Sequence, residues 1–406
     1  MNSSISSSRP VLLSTRSYSL ALATIGLAII LSIVGFALYL VPMSGMISVG
    51  SGDLTRIGWF SNNRYGPRKP NLAFRPALFA LAGALDRHFD VVIVGDSFSA
   101  DLEKSWPNYL AAKGLSVLVI GFADNPEKRN ATADVENQIT ALLQSPTFRE
   151  APPSIFIFES IERFLKRRLV SDTNPCLEVQ QKEESNAVAA PLGTALAEPP
   201  TLRYADPPEH HIEEVGMPLA RRYDEQQLTY ARDFLLKNIR NSFGRKSAVR
   251  ELRLSVTRFS SDRAKALLVV SGDLHKDRWR QKDIEEMQCQ LLRLQRAVQS
   301  NGKTLFLALP IPDKLSAYHD DLVDQSPPPG VIDQLTDPRL NRPQVEKAIR
   351  AEIIAGEIDV YLPNDTHFGA RGQALTAETV MRFIEEHTRK IKAPGTSATP
   401  SPQGNN

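Results

Sequence analysis

A serine in one short block and an Asp-x-His pair in another could together do nucleophilic chemistry. The first block, "FDVVIVGDSFSADLEKSWPNYL" over residues 89–110, carries Ser97 in a Gly95-Asp96-Ser97 turn directly after an apolar run. In an open α/β sheet, ligands bind beyond the carboxyl ends of the strands, and a helix starting there offers backbone N–H groups to an oxyanion. Ser97 is either such a nucleophile or a turn residue, since Gly-Asp-Ser after a strand is also ordinary helix-capping chemistry. The run Gly95-Asp96-Ser97-Phe98-Ser99 lacks the second glycine of the G-x-S-x-G elbow.

A serine nucleophile needs a base, and the base needs an orienting carboxylate. The histidines are His88, His210, His211, His275, His319, His367 and His387. His367 stands in "LPNDTHFGARG", between an expected strand and an expected helix, with Asp365 on the same loop. A turn there would bring the carboxylate to one ring nitrogen and leave the other for Ser97. Equally, Asp365 or Thr366 caps the last helix and His367 is a surface polar residue; spacing leaves both open. No glycine-rich phosphate loop, H-E-x-x-H or paired-cysteine motif occurs, so neither a metal nor a nucleotide cofactor is expected.

The elements that must position these residues begin outside the membrane. No charge occurs from Ser17 to Gly52, and Leu20 to Met43 is almost uniformly apolar, long enough to span a bilayer as a helix. Arg9 and Arg16 precede the run and Asp53 is the first charge after it, which puts the short tail in the cytoplasm and the rest of the chain outside. The run exceeds a signal-peptide core, and "YLVPMSG" makes a poor cleavage site, so an uncleaved anchor is expected. The expected organisation is a cytoplasmic tail (1–17), a membrane helix (18–43), a linker (44–70), an α/β domain (71–390) and a disordered tail (391–406).

With 406 residues, 42% of them hydrophobic, the chain can bury a large core. Its 48 basic and 46 acidic residues leave a net charge of +2, which gives no field for nucleic acid. Cys176 and Cys289 are too few for a disulfide framework, although one bridge between them suits an extracytoplasmic chain.

Within the domain, a helix is expected over 74–89, then strands at 90–95, 115–121 and 154–160 with helices at 105–113 and 132–144 between them. Short runs apolar at nearly every position indicate parallel strands covered on both faces. Residues 171–215 lack periodicity and read as a long insertion, either mobile or covering one end of the sheet. A helix at 219–241, an edge hairpin strand at 251–259, buried strands at 265–273 and 303–310 around a helix at 277–300, a helix at 342–354, a short strand at 357–363 and a helix at 371–389 follow.

"VVIVGDSFS" and "NDTHFGARGQALTAETV" resemble the serine and Asp-x-His blocks of SGNH-type (GDSL-like) hydrolases and acyltransferases. The pattern is most similar to the SGNH-like domain of alginate O-acetyltransferases. "PSIFIFESIERFL", "LALPIPDKLSAYH" and the N-terminal anchor agree with it. This resemblance implies a three-layer α/β/α fold with a mostly parallel sheet. It also implies Ser97 as acyl-accepting nucleophile, His367 as general base and Asp365 as its orienting partner. The implied setting is the bacterial periplasm, with an exported polysaccharide as acceptor and a multi-pass membrane acyltransferase as acetyl source. Here the serine precedes the Asp-x-His block, as in ordinary SGNH hydrolases and unlike the alginate proteins.

For the oxyanion hole, the resemblance implies the Ser97 amide and Gly121. The third strand ends in Phe158-Glu159-Ser160 without the family's asparagine, and Asn125 is the substitute candidate. Arg163 either holds substrate by its donor fork or pairs with Glu159 or Glu162 along one helical turn. Glu159, Lys314 and Tyr318 are further candidates for the edge of the substrate site, or solvent-facing structural residues.

Overall fold

The structure, a computed structural model, describes residues 15–43, 52–58, 60, 62–122, 131–171, 176–177, 196, 200–206, 208–216 and 248–392. Helix α1 (Thr15–Met43) is long and apolar enough to cross a membrane. Short helices α2 (Asp53–Gly58) and α3 (Asn62–Tyr65) follow it. The chain then runs β1 (Asn71–Arg75), β2 (Ala80–Leu81), β3 (Val91–Gly95), α4 (Ser97–Ala100), α5 (Pro107–Ala111), β4 (Val117–Gly121), α6 (Ala131–Gln144), α7 (Pro146–Glu150), β5 (Ile155–Ile161) and α8 (Glu162–Leu169). Beyond lie β6 (His211–Val215), β7 (Val249–Arg253), β8 (Ala266–Val270), a 3-10 segment Ser271–Arg278, α9 (Gln281–Gln299), β9 (Leu305–Ile311), α10 (Lys314–Ala317), α11 (Val345–Ile354) and α12 (Ala370–Lys392).

Five parallel strands in the order β2-β4-β3-β5-β9 form the core. Alternate side chains of each strand enter opposite faces, as the two-residue period requires. Val91, Ile93, Val119, Ile157 and Leu307 meet α5, α11 and α12 on one face. Val92, Val94, Leu118, Phe156 and Phe306 meet α6, α8 and α9 on the other. α9 offers Ile284, Met287, Leu291, Leu294 and Val298, a single apolar stripe at helical spacing. Each such side chain stabilises the fold by roughly 1.5–3 kcal/mol through burial. The α/β fold with a mostly parallel core sheet and an N-terminal apolar helix of membrane-crossing length is thus present.

Several expected elements differ. The helix expected over 74–89 is absent, because β1 pairs antiparallel with β6 and β2 adds to the sheet edge beside β4. Pro76, which has no N–H to donate, stands between the two strands. The strand expected at 265–273 does not join the parallel sheet; β8 pairs antiparallel with β7 in a separate ribbon. The strand expected at 357–363 shrinks to a single bridge, Tyr361 to Phe368. Asp359 interrupts it with a left-handed φ of 59°, a conformation incompatible with a continuous strand.

The expected linker over 44–70 is, from Gly52 onward, largely part of the folded body. Leu54 and Tyr65 pack with Val249, Ala266 and Leu268 of the ribbon, and Thr55 and Asn62 are also buried. Cys176 and Cys289 form a disulfide with a Cα–Cα distance of 5.9 Å. Most of the expected insertion at 171–215, the helix at 219–241 and the tail beyond residue 392 lie outside the described residues. The end of that insertion is β6, which gives it regular structure at 211–215.

Candidate active site

Ser97 and His367, 270 residues apart in sequence, meet beyond the carboxyl end of β3. β3 stops at Gly95, where an added Cβ would lie 2.5 Å from Glu159 Oε2. A side chain at this position would have to displace the Glu159 carboxyl that supports the turn. Asp96 then caps α4: its Oδ1 accepts from Phe98 N at 3.1 Å, and its Oδ2 accepts from Ile161 N at 3.0 Å and Arg168 Nη1 at 2.7 Å. Burial pushes the Asp96 carboxyl up, but Arg168 and these hydrogen bonds prevail and hold it below the usual carboxylate range.

Underneath, Glu159 Oε2 accepts from Asp96 N at 2.9 Å and from Ser99 Oγ at 2.7 Å. Burial, with the Asp96 charge added, pushes the Glu159 carboxyl well above its ordinary value. A carboxyl pushed up by burial thus lies beneath one that Arg168 holds down. The turn is gripped from below while Ser97, the first residue of α4, remains exposed.

His367 belongs to a tight loop between α11 and α12, spanned by the Tyr361–Phe368 bridge. Leu362 N donates to His367 O at 3.0 Å, and Asp365 N donates to Leu362 O at 3.3 Å. Lys314 Nζ donates to the carbonyls of Leu362, Pro363 and Asp365 at 2.6, 3.0 and 3.1 Å. Gly369 closes the loop where a Cβ would strike the Asp359 carbonyl.

Within the loop, Asp365 Oδ1 accepts from His367 N at 3.0 Å and lies 2.6 Å from His367 Nδ1. His367 Nε2 lies 2.7 Å from Ser97 Oγ, and the ring packs on Phe98 with centroids 4.7 Å apart. Burial opposes charge on both Asp365 and His367. Their mutual hydrogen bond and attraction outweigh it, which lowers the Asp365 carboxyl and raises the imidazole. Such an arrangement fixes the imidazole tautomer and can accept a proton from a hydroxyl at Ser97.

A cleft of about 340 Å³ opens over these groups, with Lys69, Asn71, Lys104 and Gln373 on its walls. Polar atoms of Asp53, Asp365 and His367 lie within 4.8 Å of one another, a grouping with metal-ligand types. The facing atoms are already engaged: Asp53 N donates to Asp365 Oδ2 at 3.1 Å, and Thr366 N donates to Asp53 Oδ1 at 2.8 Å. Backbone and side-chain hydrogen bonds through Asp365 and Thr366 thus join the three residues.

Residues 268–404 match the family model described as an SGNH hydrolase-like domain, acetyltransferase AlgX. Over these residues the chain carries an SGNH hydrolase-like domain related to the AlgX acetyltransferases. The matched stretch contains Asp365 and His367, whereas Ser97 lies before it. No curated protein and no solved structure matches the chain.

Several site candidates fall elsewhere in the SGNH-like fold than expected. Glu159 is fully buried beneath the serine turn, so it faces no substrate. Lys314, expected at the edge, is interior and binds the histidine loop; burial pushes its ammonium down to about 7 against the attraction of Asp365 and Asp53. Tyr318 is also interior, its hydroxyl accepting from Tyr361 N at 3.3 Å. Arg163 pairs with neither Glu159 nor Glu162: its Nη1 lies 3.1 Å from Asp313 Oδ1 and 3.5 Å from Asp273 Oδ1. Glu162 binds Lys276 instead, at 3.0 Å.

Gly121 stands opposite Gly95 in the β3–β4 register, level with the serine turn. Asn125 lies outside the described residues. The sequence reading missed Arg168 and Asp53. Arg168 carries a signal in hindsight, as a basic residue one turn and a half into the helix after β5, whereas nothing local marks Asp53.

Proposed function

We propose that the protein is a membrane-anchored O-acetyltransferase whose extracytoplasmic domain acetylates hydroxyls of an exported polysaccharide. The observation that carries this reading is the continuous line Asp365 Oδ1 to His367 Nδ1 (2.6 Å) and His367 Nε2 to Ser97 Oγ (2.7 Å). The similarity of residues 268–404 to acetyltransferase AlgX supports acetyl as the transferred group. The apolar helix α1, with Arg16 in its first turn and Arg9 ahead of it, supports a single-pass anchor in the bacterial inner membrane and a periplasmic domain. The Cys176–Cys289 bridge accords with that compartment.

In this mechanism Ser97 Oγ attacks the acetyl carbonyl while His367 Nε2 takes its proton. Asp365 stabilises the imidazolium, which then protonates the departing donor group. The resulting acetyl-serine is attacked by a sugar hydroxyl, whose proton passes to His367 and finally returns to Ser97 Oγ. The Ser97 amide and the backbone near Gly121 are the proposed donors to the oxyanion. A multi-pass membrane acyltransferase is the proposed acetyl source.

Ser97 is exposed, and this favours a second reading, an esterase in which water takes the acetyl group. A separation of Ser97 from His367 would have favoured a non-catalytic scaffold; their 2.7 Å contact argues the other way.

The test is to incubate the full-length protein with a chromogenic acetyl ester and follow intact mass and acetate release. Wild type should gain about 42 Da, one acetyl group, or show a burst, and Ser97→Ala should show neither. Equal inertness of both folded proteins, with the membrane donor also supplied, would remove the enzyme reading. Adding glycan acceptors then separates transfer from hydrolysis by whether acetate appears on sugar or in solution.

A further inference from the structure

The first described residues after the apolar helix do not merely lead to the domain. They hold the histidine loop. Leu54 N and Thr55 N both donate to Asn364 O, at 3.1 and 3.2 Å. Asp53 N donates to Asp365 Oδ2 at 3.1 Å, occupying the carboxylate oxygen that His367 Nδ1 does not use. The Asp53 carboxylate accepts from Thr366 N at 2.8 Å and from Thr366 Oγ1 at 2.5 Å. Three consecutive residues, 53–55, thereby grip three consecutive residues, 364–366. Leu54 anchors the grip by full burial against the β7–β8 ribbon.

We infer that Asp53 is a positioning residue of the Ser97–His367–Asp365 site, and that the segment at 52–55 is part of the apparatus that sets the Asp365–His367 pair. The inference rests on the proposed roles of those three residues, and it adds a fourth residue from a different end of the chain.

Asp53 acts through its neighbours. Its amide turns Asp365 so that Oδ1 faces the imidazole, and its carboxylate fixes Thr366, the residue between the acid and the base. It is also a second anion close to the imidazolium that forms when Ser97 loses its proton. The groups that bear on His367 are Asp365 on its own loop, Asp53 from α2, and Arg163 from α8. The two carboxylates raise the imidazole and Arg163 lowers it. Lys314 from α10 binds the same loop through its carbonyls. Burial and then the charge of Asp365 push the Asp53 carboxyl up, as expected for carboxylates held side by side. Neutralising Asp53 leaves the amide contact to Asp365 in place and removes one anion from the histidine.

The experiment uses the full-length protein in detergent, with Asp53→Asn, Asp53→Glu and Thr366→Val. The first readout is the pH dependence of carbethoxylation of His367 by diethyl pyrocarbonate, followed by peptide mass spectrometry in a Ser97→Ala background. Only neutral imidazole reacts, so the midpoint reports its protonation without any turnover. Asp53→Asn should move the midpoint to lower pH, and Asp53→Glu should restore it towards wild type. The second readout is steady-state hydrolysis of the acetyl ester with Ser97 present. There Asp53→Asn should lower kcat about tenfold or more with little change in KM. Thr366→Val keeps the charge but loses one hydrogen bond, so it should lower kcat without moving the midpoint down.

A midpoint unchanged in Asp53→Asn, in protein that melts like wild type, would overturn the inference. Should Asp53→Asn fail to fold, Thr366→Val decides: full wild-type kcat would overturn it. Inert wild type would refute the enzyme reading, and the carbethoxylation midpoint would still decide the Asp53–His367 link by itself.

Discussion

At the scale of single residues, the site depends on which of several buried acids keep their charge. Asp365 is held ionised and His367 is held above its ordinary protonation range, each by the other. A base must be neutral to act. Because the folded imidazole value is raised, the acidic limb of kcat/KM for acetyl ester turnover should lie above the free-histidine value of about 6.5. A pH-rate profile measures it, and a limb at or below that value would contradict the arrangement. The same raised value means that the histidine's contribution to stability is complete below the unfolded-chain histidine value and fades as pH rises past the folded imidazole value. For Asp365 the sign is opposite, with stability lost as pH falls through its depressed value. Ser97, Asp365 and His367 were legible as candidates because each sits in a short block that resembles a known family's, although spacing alone left helix-capping roles open. Asp53 was not, since its contact to Asp365 spans 312 residues and only the folded chain brings them together. Glu159, Lys314 and Tyr318 were visible as chemical groups, but packing sent their side chains inward, and no local pattern records that.

Among elements, those buried on both faces were the easiest to read. β5 and β9 are buried at every position, and short runs made mostly of large apolar residues have few other places to go. Elements decided by distant partners were harder. β1 owes its strand to β6, more than a hundred residues later, and the apolar periodicity of 74–89 suits a helix just as well. β8 looks like a core strand because it is buried, yet its neighbour is β7 and its ladder antiparallel. The Cys176–Cys289 bridge joins the chain after α8 to α9 across a separation of 113 residues. Glu286 on α9 adds a second tie by accepting from Cys176 N and Leu177 N. Reduction of the bridge should lower stability by roughly 2–4 kcal/mol. Denaturant unfolding with and without reductant measures this, and coincident midpoints would show that the bridge adds nothing.

For the whole molecule, the packing of α2 against the histidine loop determines where the chemistry takes place. Residues 44–52 are all that separates α1 from Asp53, and a chain advances at most about 3.3–3.6 Å per residue, or about 30 Å over that stretch. With α1 in the bilayer as proposed, the nucleophile patrols a thin layer above the lipid headgroups. An acetyl source in the same membrane, as proposed, would then meet Ser97 as a fellow lodger, at an effective concentration in the millimolar range for a short tether, with no need of tight binding. Lengthening the stretch with about twenty Gly and Ser residues ahead of Gly52 should leave turnover of a water-soluble ester unchanged and slow acetyl delivery from the membrane. Equal slowing of both would place the effect in the site itself. On this geography the acceptor has to come to the enzyme: a growing glycan would be decorated as it leaves the membrane, segment by segment, and its distant end would already be out of range.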